Sequence, residues 1–380
     1  MDGLVFVLFF LALAIGFCLG RLRLQRTGPL DTAVHAVYLE GLHQLIAEQH
    51  DAALDTLISG LDVNETTVEM HFALGAFWRR KGEVERAIRI HQNLLDRTGL
   101  SFVQQQQAQF ELALDYTKSG LLDRAEALLK GLDGAADPEV RRQALQELVY
   151  LYQDEREWDK AILQAELLCR AAGAGELGFW RHLQAHYCCE LAEARLMAQR
   201  GIPPNFEIPV EVMTHLERAT EFVRSHPRTL LLQTRLILEQ GDADEALDIL
   251  AALQLEESYL MVALPLVLDV YRRAGRFSAL EALVSGLYRQ LGSLSLIPVT
   301  AQLLCERSGD QAALEFVAEE LQGREPLFLA DLVNMLDKNT PYTQLKPILD
   351  KALPFEFQCE ACGFEGRQFY WCCPTCKHWL

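Results

Sequence analysis

Strand-like alternation is missing from residues 33–350, and its absence excludes a sheet-built body. Positive charge is scarce as well. Lys and Arg number 35 against 53 Asp and Glu, a net charge of −18 that repels phosphate backbones. No basic face stands out beyond the first thirty residues, so nucleic acid is not an expected partner. With 50% hydrophobic and 23% charged residues, the 380-residue chain is folded and not disordered.

Catalytic signatures are also lacking. There is no P-loop, no nucleophile elbow and no carboxylate pair that demands acid/base work, so no catalytic residue is nominated and a non-enzymatic protein is expected. The string Gly173-Ala-Gly175-Glu-Leu-Gly178 matches GxGxxG, but no strand precedes it and no βαβ pattern surrounds it; it reads as a flexible turn between helices. His182, His186 and Cys189 share one helical face at i, i+4 and i+7. The intervening text lacks a metalloprotease glutamate, and the three read as packing residues. Gln104 to Gln107 reads as a polar helix start.

One long uncharged run is present. Leu4 to Gly20 holds 17 residues without a charge, at the lower edge of what spans a bilayer, and Arg21, Arg23 and Arg26 follow it. Basic residues after the run predict a retained anchor (residues 1–22) with the acidic body on the cytoplasmic side. A cleaved signal peptide would carry its basic stretch before the run, whereas this chain starts Met-Asp-Gly. Only Thr27-Gly28-Pro29-Leu30 separates Arg26 from the next helical text, so the body is expected close to the membrane.

From residue 33 to 353 a unit of about 34 residues recurs. Its clearest copy has Leu74-Gly75, then Trp78, Gly82 and Ala87, the spacing of a tetratricopeptide helix pair. Gly75 and Ala87 are small where two antiparallel helices approach, and Trp78 fills the space beside them. Gly41 and Ala53 keep the small pair in an earlier copy. Leu112, Ala113, Tyr116, Gly120 and Ala125 keep most of the pattern in a later one, and Leu148, Tyr152 and Ala161 mark a fourth, with Arg156 at the turn. The copies then weaken through Gly241 with Ala246, Tyr271 with Gly275, and Gly309 with Pro326, and Gly201-Ile202-Pro203-Pro204 lengthens one loop. The predicted fold class is all-α: a superhelical solenoid of tetratricopeptide repeats with an N-terminal transmembrane helix and a small C-terminal metal module. Such an array binds segments of other proteins.

Cysteine is unevenly spread. Five of ten (Cys359, Cys362, Cys372, Cys373 and Cys376) lie in the last 22 residues, and the rest sit in apolar, helix-like text. Two Cys-x-x-Cys pairs with ten residues between them form knuckles suited to four-thiolate binding of zinc or a single iron. The ligands are read as Cys359, Cys362, Cys373 and Cys376, Cys373 being preferred over adjacent Cys372 because it gives the x-x spacing to Cys376. Residues 355–380 are too few for a core of their own, so metal binding and folding of this tail are expected to be coupled.

Taken together, the anchor, the repeats and the paired knuckles resemble the lipopolysaccharide assembly protein B family of Gram-negative inner-membrane proteins. The resemblance is sharpest from Leu74-Gly75 through Gly82 to Gln92 and around Tyr370-Trp371 and Cys373-Pro374-Thr375-Cys376. It implies a rubredoxin-like module packed on the repeats and a single-pass inner-membrane protein. It further implies an adaptor that promotes destruction of the lipid A pathway deacetylase by a membrane-anchored AAA+ metalloprotease, in company with other inner-membrane lipopolysaccharide regulators or synthesis proteins. The metal ligands carry over to Cys359, Cys362, Cys373 and Cys376. Cys372 beside a ligand, the short spacer and Lys377 in place of a glycine depart from common rubredoxins, leave iron and zinc both open, and weigh against electron transfer. Two other functions stay in view: a scaffold for lipopolysaccharide synthesis enzymes, and an iron or redox sensor.

Overall fold

The computed structural model describes residues 39–41, 43–44, 56, 67–97, 99–171, 173–198, 208–321, 341–354 and 356–380. The expected anchor, Ala53, the Gly201 to Pro204 interruption and Pro326 lie outside them. The chain divides into two compact units, Met1–Ala171 and Ala172–Leu380. Among the described residues, both are built almost wholly of helices.

In the first unit, α1 (Val68–Arg80), α2 (Val84–Leu95), α3 (Phe102–Ser119), α4 (Leu122–Lys130), α5 (Pro138–Asp154) and α6 (Trp158–Ala171) pack each on the next in sequence. One turn chemistry recurs. The N–H of Gly82 bonds the carbonyl of Arg79 and that of Glu83 bonds Trp78, satisfying two carbonyls that the end of α1 leaves open. The same pair of bonds recurs at Gly120 with Leu121 and at Arg156 with Glu157. The residue between the bonds must be left-handed: φ is +84° at Gly82 and +77° at Gly120, and Arg156 adopts +59° without a glycine's freedom.

The close approach expected at Gly75 has a definite partner. A Cβ added there would lie 2.3 Å from Nε2 of His91, so glycine is required for the imidazole of α2 to lie against α1. His91 Nδ1 in turn meets Asp115 Oδ2 at 2.5 Å, and Arg79 bonds Asp115 and Glu111 at 2.8 Å each. Asp115 is fully buried, and this network ties α1, α2 and α3 together. Trp78, Ala87 and Ile90 form the apolar cluster beside it. At the start of α3 the glutamine run has a local role: Ser101 accepts from the Gln104 N–H while the Gln104 side chain accepts from the Ser101 N–H, a reciprocal cap.

The second unit opens with α7 (Ala174–Ala198), paired with α8 (Val210–Phe222), and continues through α9 (Pro227–Gln240), α10 (Ala243–Leu250), α11 (Glu257–Arg273) and α12 (Phe277–Leu291). After a short 3-10 turn come α13 (Ile297–Ser308), α14 (Asp310–Leu321) and α15 (Tyr342–Ala352). Gly173 lies in the connection ahead of α7, but Gly175 and Gly178 fall in its opening turns, which corrects the reading of the whole GxGxxG string as a turn: two glycines were not enough to stop a 25-residue helix with a well-buried middle. The turn bonds seen at Gly82 return at Gly241 with Asp242 and at Gly275 with Arg276. A continuous core runs from Leu231 to Leu353, closed at its far end by Tyr342, whose hydroxyl donates to the carbonyl of Pro298 at 2.6 Å. Among the described residues, no helix is long and apolar enough to cross a membrane.

Two substitutions test these backbone arguments. Gly75→Ala drives a methyl into the His91 ring and is expected to destabilise the protein by about 1–3 kcal/mol, the usual range for overpacking. Arg156→Gly relieves a left-handed side chain and is expected to stabilise by about 0.5–1 kcal/mol. Urea unfolding midpoints read both, and an unchanged midpoint for Gly75→Ala contradicts the close approach.

Candidate metal centre

The tail opens with β1 (Phe357–Gln358) paired antiparallel to β2 (Glu365–Gly366), Phe357 opposite Gly366. Between them the first knuckle is closed by two bonds: Gly363 N–H to the Cys359 carbonyl at 2.8 Å, and Cys359 N–H to the Phe364 carbonyl at 2.9 Å. The second knuckle repeats both, with Lys377 N–H to Cys373 at 3.0 Å and Cys373 N–H to His378 at 2.8 Å. Lys377 therefore stands where Gly363 stands in the first, and takes the same left-handed backbone, φ +60° against +72°. The lysine departs from the rubredoxin pattern in side chain and not in conformation.

The two knuckles bring the sulfurs of Cys359, Cys362, Cys373 and Cys376 within 4.8 Å of one another. Cys359 to Cys376 is 3.6 Å and Cys362 to Cys373 is 3.7 Å. A tetrahedral ion with sulfur ligands at about 2.3 Å needs edges of about 3.8 Å, so the geometry is compatible with a metal site. Among the described residues this is the sole group of three or more potential ligands that converges. Adjacent Cys372 stands apart: its main chain bridges to Trp379, and burial pushes its thiol up to about 11.

Electrostatics within the quartet are uneven. Burial works to raise the Cys373 thiol, but backbone hydrogen bonds from Cys376 and Thr375 outweigh it and hold the group down at about 6. Cys362 is pushed up to about 12: a backbone bond from Phe364 lowers it, and burial with the three neighbouring thiols raises it further. The backbone N–H groups of the second knuckle thus favour negative charge at Cys373, whereas burial and the neighbouring thiols disfavour it at Cys362.

Behind the knuckles, Phe357 is buried with its ring edge-on to Phe369 and Tyr370, at 5.8 and 5.5 Å between centroids. The tail then docks on the helices of its own unit. His186 on α7 lies with its ring 4.8 Å from Trp379 and 4.3 Å from His226, and its Nε2 donates to the main-chain oxygen of Leu380 at 2.7 Å. His226 Nδ1 lies 2.9 Å from the Thr229 hydroxyl and accepts from the Thr229 N–H at 3.4 Å. Burial, and after it the neighbouring imidazole and Arg228 charges, hold His226 down at about 3 and His186 well below its ordinary value; both are neutral at pH 7. Arg228 on α9 is buried with its guanidinium 5.9 Å from the Trp371 ring and 5.7 Å from Trp379, and its Nη2 bonds Glu190 at 2.7 Å and Glu193 at 2.9 Å. Tyr259 on α11 stacks on Trp371.

The face His182, His186 and Cys189 is accounted for by this dock. His186 meets the tail, Cys189 lies 3.3 Å from the Thr229 hydroxyl, and the His182 ring lies beside His226. His186 was read in the sequence as a packing residue, and the structure shows what it packs on; Arg228 and Trp379 were missed.

No family profile matches the chain. Homologues named lipopolysaccharide assembly protein B align over its whole length. The protein of that name from Escherichia coli K12 is 29% identical over 394 residues, covering 100% of this chain and 97% of its own. The one from Haemophilus influenzae is 26% identical over 412 residues with the same coverage. Among solved structures, a tetratricopeptide repeat protein from Parabacteroides merdae covers 71% of this chain and 98% of its own at 14% identity and a TM-score of 0.34. Pseudomonas aeruginosa pilF covers 65% and 98% at 16% identity and a TM-score of 0.32.

If the quartet holds an ion, purified protein carries one iron or zinc per chain by elemental analysis, and Cys373→Ser/Cys376→Ser carries none. Loss of the ion unlocks the knuckles and wets Trp371 and Trp379, so tryptophan emission shifts to the red. A variant that keeps both its metal and its emission maximum refutes the four-sulfur site.

Proposed function

We propose that this homologue of lipopolysaccharide assembly protein B acts in lipopolysaccharide synthesis as a regulator that works by binding. The observation that carries this reading is the end-to-end resemblance, which covers 100% of this chain and 97% of its Escherichia coli relative. In the finer form of the proposal the protein is an inner-membrane adaptor. The apolar run at residues 4–20 tethers it, and the array of tetratricopeptide-like helix pairs grips the lipid A pathway deacetylase, a membrane-anchored AAA+ metalloprotease, or both. The deacetylase is thereby delivered for destruction.

Several features of the molecule support it. Helix hairpins stacked in series present long surfaces to partners and need no reactive side chain. The tail adds rigidity: four sulfurs around one iron or zinc, at Cys359, Cys362, Cys373 and Cys376, cross-link two knuckles, and the docked tryptophans transmit that order to α7, α9 and α11. The metal's contribution in this reading is mechanical.

The test is protein turnover. In cells lacking the gene, the half-life of the deacetylase is expected to lengthen and lipopolysaccharide to rise. Supplying the protein without residues 1–20 is expected to restore turnover only in part, because a tether raises the effective concentration at a membrane partner. An unchanged half-life, with lipopolysaccharide synthesis enzymes co-purifying in stable complex, overturns the adaptor reading in favour of a scaffold.

A further inference from the structure

The four sulfurs of the tail are not equivalent to solvent. Cys359 and Cys373, the first cysteine of each knuckle, are 2% and 1% exposed, whereas Cys362 and Cys376, the second of each, are exposed. Each knuckle therefore offers one cysteine outward and keeps one inward. The sulfur contacts cross between them. Exposed Cys376 meets buried Cys359 at 3.6 Å, and exposed Cys362 meets buried Cys373 at 3.7 Å, so each outward sulfur has an inward neighbour on the opposite knuckle.

That placement matters for oxidation. A thiolate is the sulfur species that attacks a peroxide, and a cysteine that ligates a metal is held as one. Access decides which thiolate reacts first, and a second sulfur in contact decides whether the product is a disulfide or a dead end. Cys362 and Cys376 have both the access and the neighbour. Adjacent Cys372 is half-buried, and its main chain bridges to Trp379 on the side of the tail that docks.

We propose that the quartet is a peroxide-sensitive switch: the exposed sulfurs of Cys362 and Cys376 are oxidised first, each closes a disulfide with the buried sulfur it meets across the knuckles, Cys373 and Cys359, and the site gives up its ion. In the first step the Cys362 thiolate attacks one oxygen of hydrogen peroxide. The O–O bond breaks, the sulfur becomes a sulfenic acid, and the other oxygen leaves as hydroxide. The Cys373 thiolate then attacks the Cys362 sulfur, forms the S–S bond and expels a second hydroxide. Two protons from solvent convert both hydroxides to water, so two thiolates have lost two electrons and one peroxide has gained them. Cys376 and Cys359 react in the same way with a second peroxide. Each disulfide removes two of the four ligands, and two thiolates no longer make a tetrahedral site. A thiol reductant reverses both bonds. The inference rests on the quartet being a metal site and adds the trigger that empties it.

The test uses full-length protein loaded with zinc, its content measured first, then treated with graded hydrogen peroxide in the presence of a colorimetric zinc indicator. One zinc per chain is expected to be released as the four thiols of the quartet are lost, and dithiothreitol with added zinc is expected to restore both. Trypsin cuts after Arg367, between the knuckles. Cross-knuckle disulfides therefore keep residues 352–367 joined to 368–377 until reduction, and fragmentation is expected to place the bonds at Cys362–Cys373 and Cys359–Cys376. With peroxide limiting, dimedone is expected to label Cys362 and Cys376 ahead of Cys359 and Cys373. Cys372→Ser is expected to alter neither release nor pairing. The proposal is overturned if zinc stays bound while other cysteines oxidise, if the disulfides close within a knuckle or through Cys372, or if reductant and zinc fail to restore the site. Protein that takes up no zinc at all refutes the metal site itself, and with it the switch.

Discussion

A tail of roughly twenty-five residues cannot enclose a core, so the C-terminal end of this protein depends on where four sulfurs can be held. Two knuckles with the same pair of backbone bonds gather them within 4.8 Å of one another, as the corners of a tetrahedron would be. The constraint is electrostatic as well as geometric: backbone hydrogen bonds favour charge at Cys373, while burial and the neighbouring thiols disfavour it at Cys362. Once the knuckles are fixed, Trp371, Trp379 and Leu380 are presented together to His186 and Arg228, whose guanidinium is paired with Glu190 and Glu193.

The helices that receive the tail follow a different logic. Each hairpin needs a left-handed residue at its turn and small residues where its helices meet, and both demands are local. Gly75 shows how tight the second is, since the space a methyl would take holds the His91 ring, and that ring orients on a buried carboxylate shared with Arg79. Such a network joins three helices, and removing one partner would leave a buried charge unpaired.

What was legible in the sequence was what is short-range. The turn glycines, Arg156 standing in for one of them, the capping start of α3 and the paired Cys-x-x-Cys spacings all concern residues within one or two turns of each other. The preference for Cys373 over Cys372 also followed from spacing, and the structure places Cys373 and not Cys372 in the converging set. The GxGxxG string was read as a turn between helices; Gly173 does lie there, but the helix begins at Ala174 and takes in Gly175 and Gly178, because residues later in α7 are buried. His186 with Leu380, and Arg228 with Trp371 and Trp379, were invisible because nothing local marks partners so far apart in the chain.

The central claim is that order in the knuckles is what holds the tail on the helices of its unit. Hydrogen exchange read by mass spectrometry, on full-length protein before and after chelation, measures this directly. The account predicts that chelation deprotects residues 357–380 and, with them, the amides around His186 on α7 and Arg228 on α9. Deprotection confined to the tail, with α7 and α9 as slow as before, contradicts it.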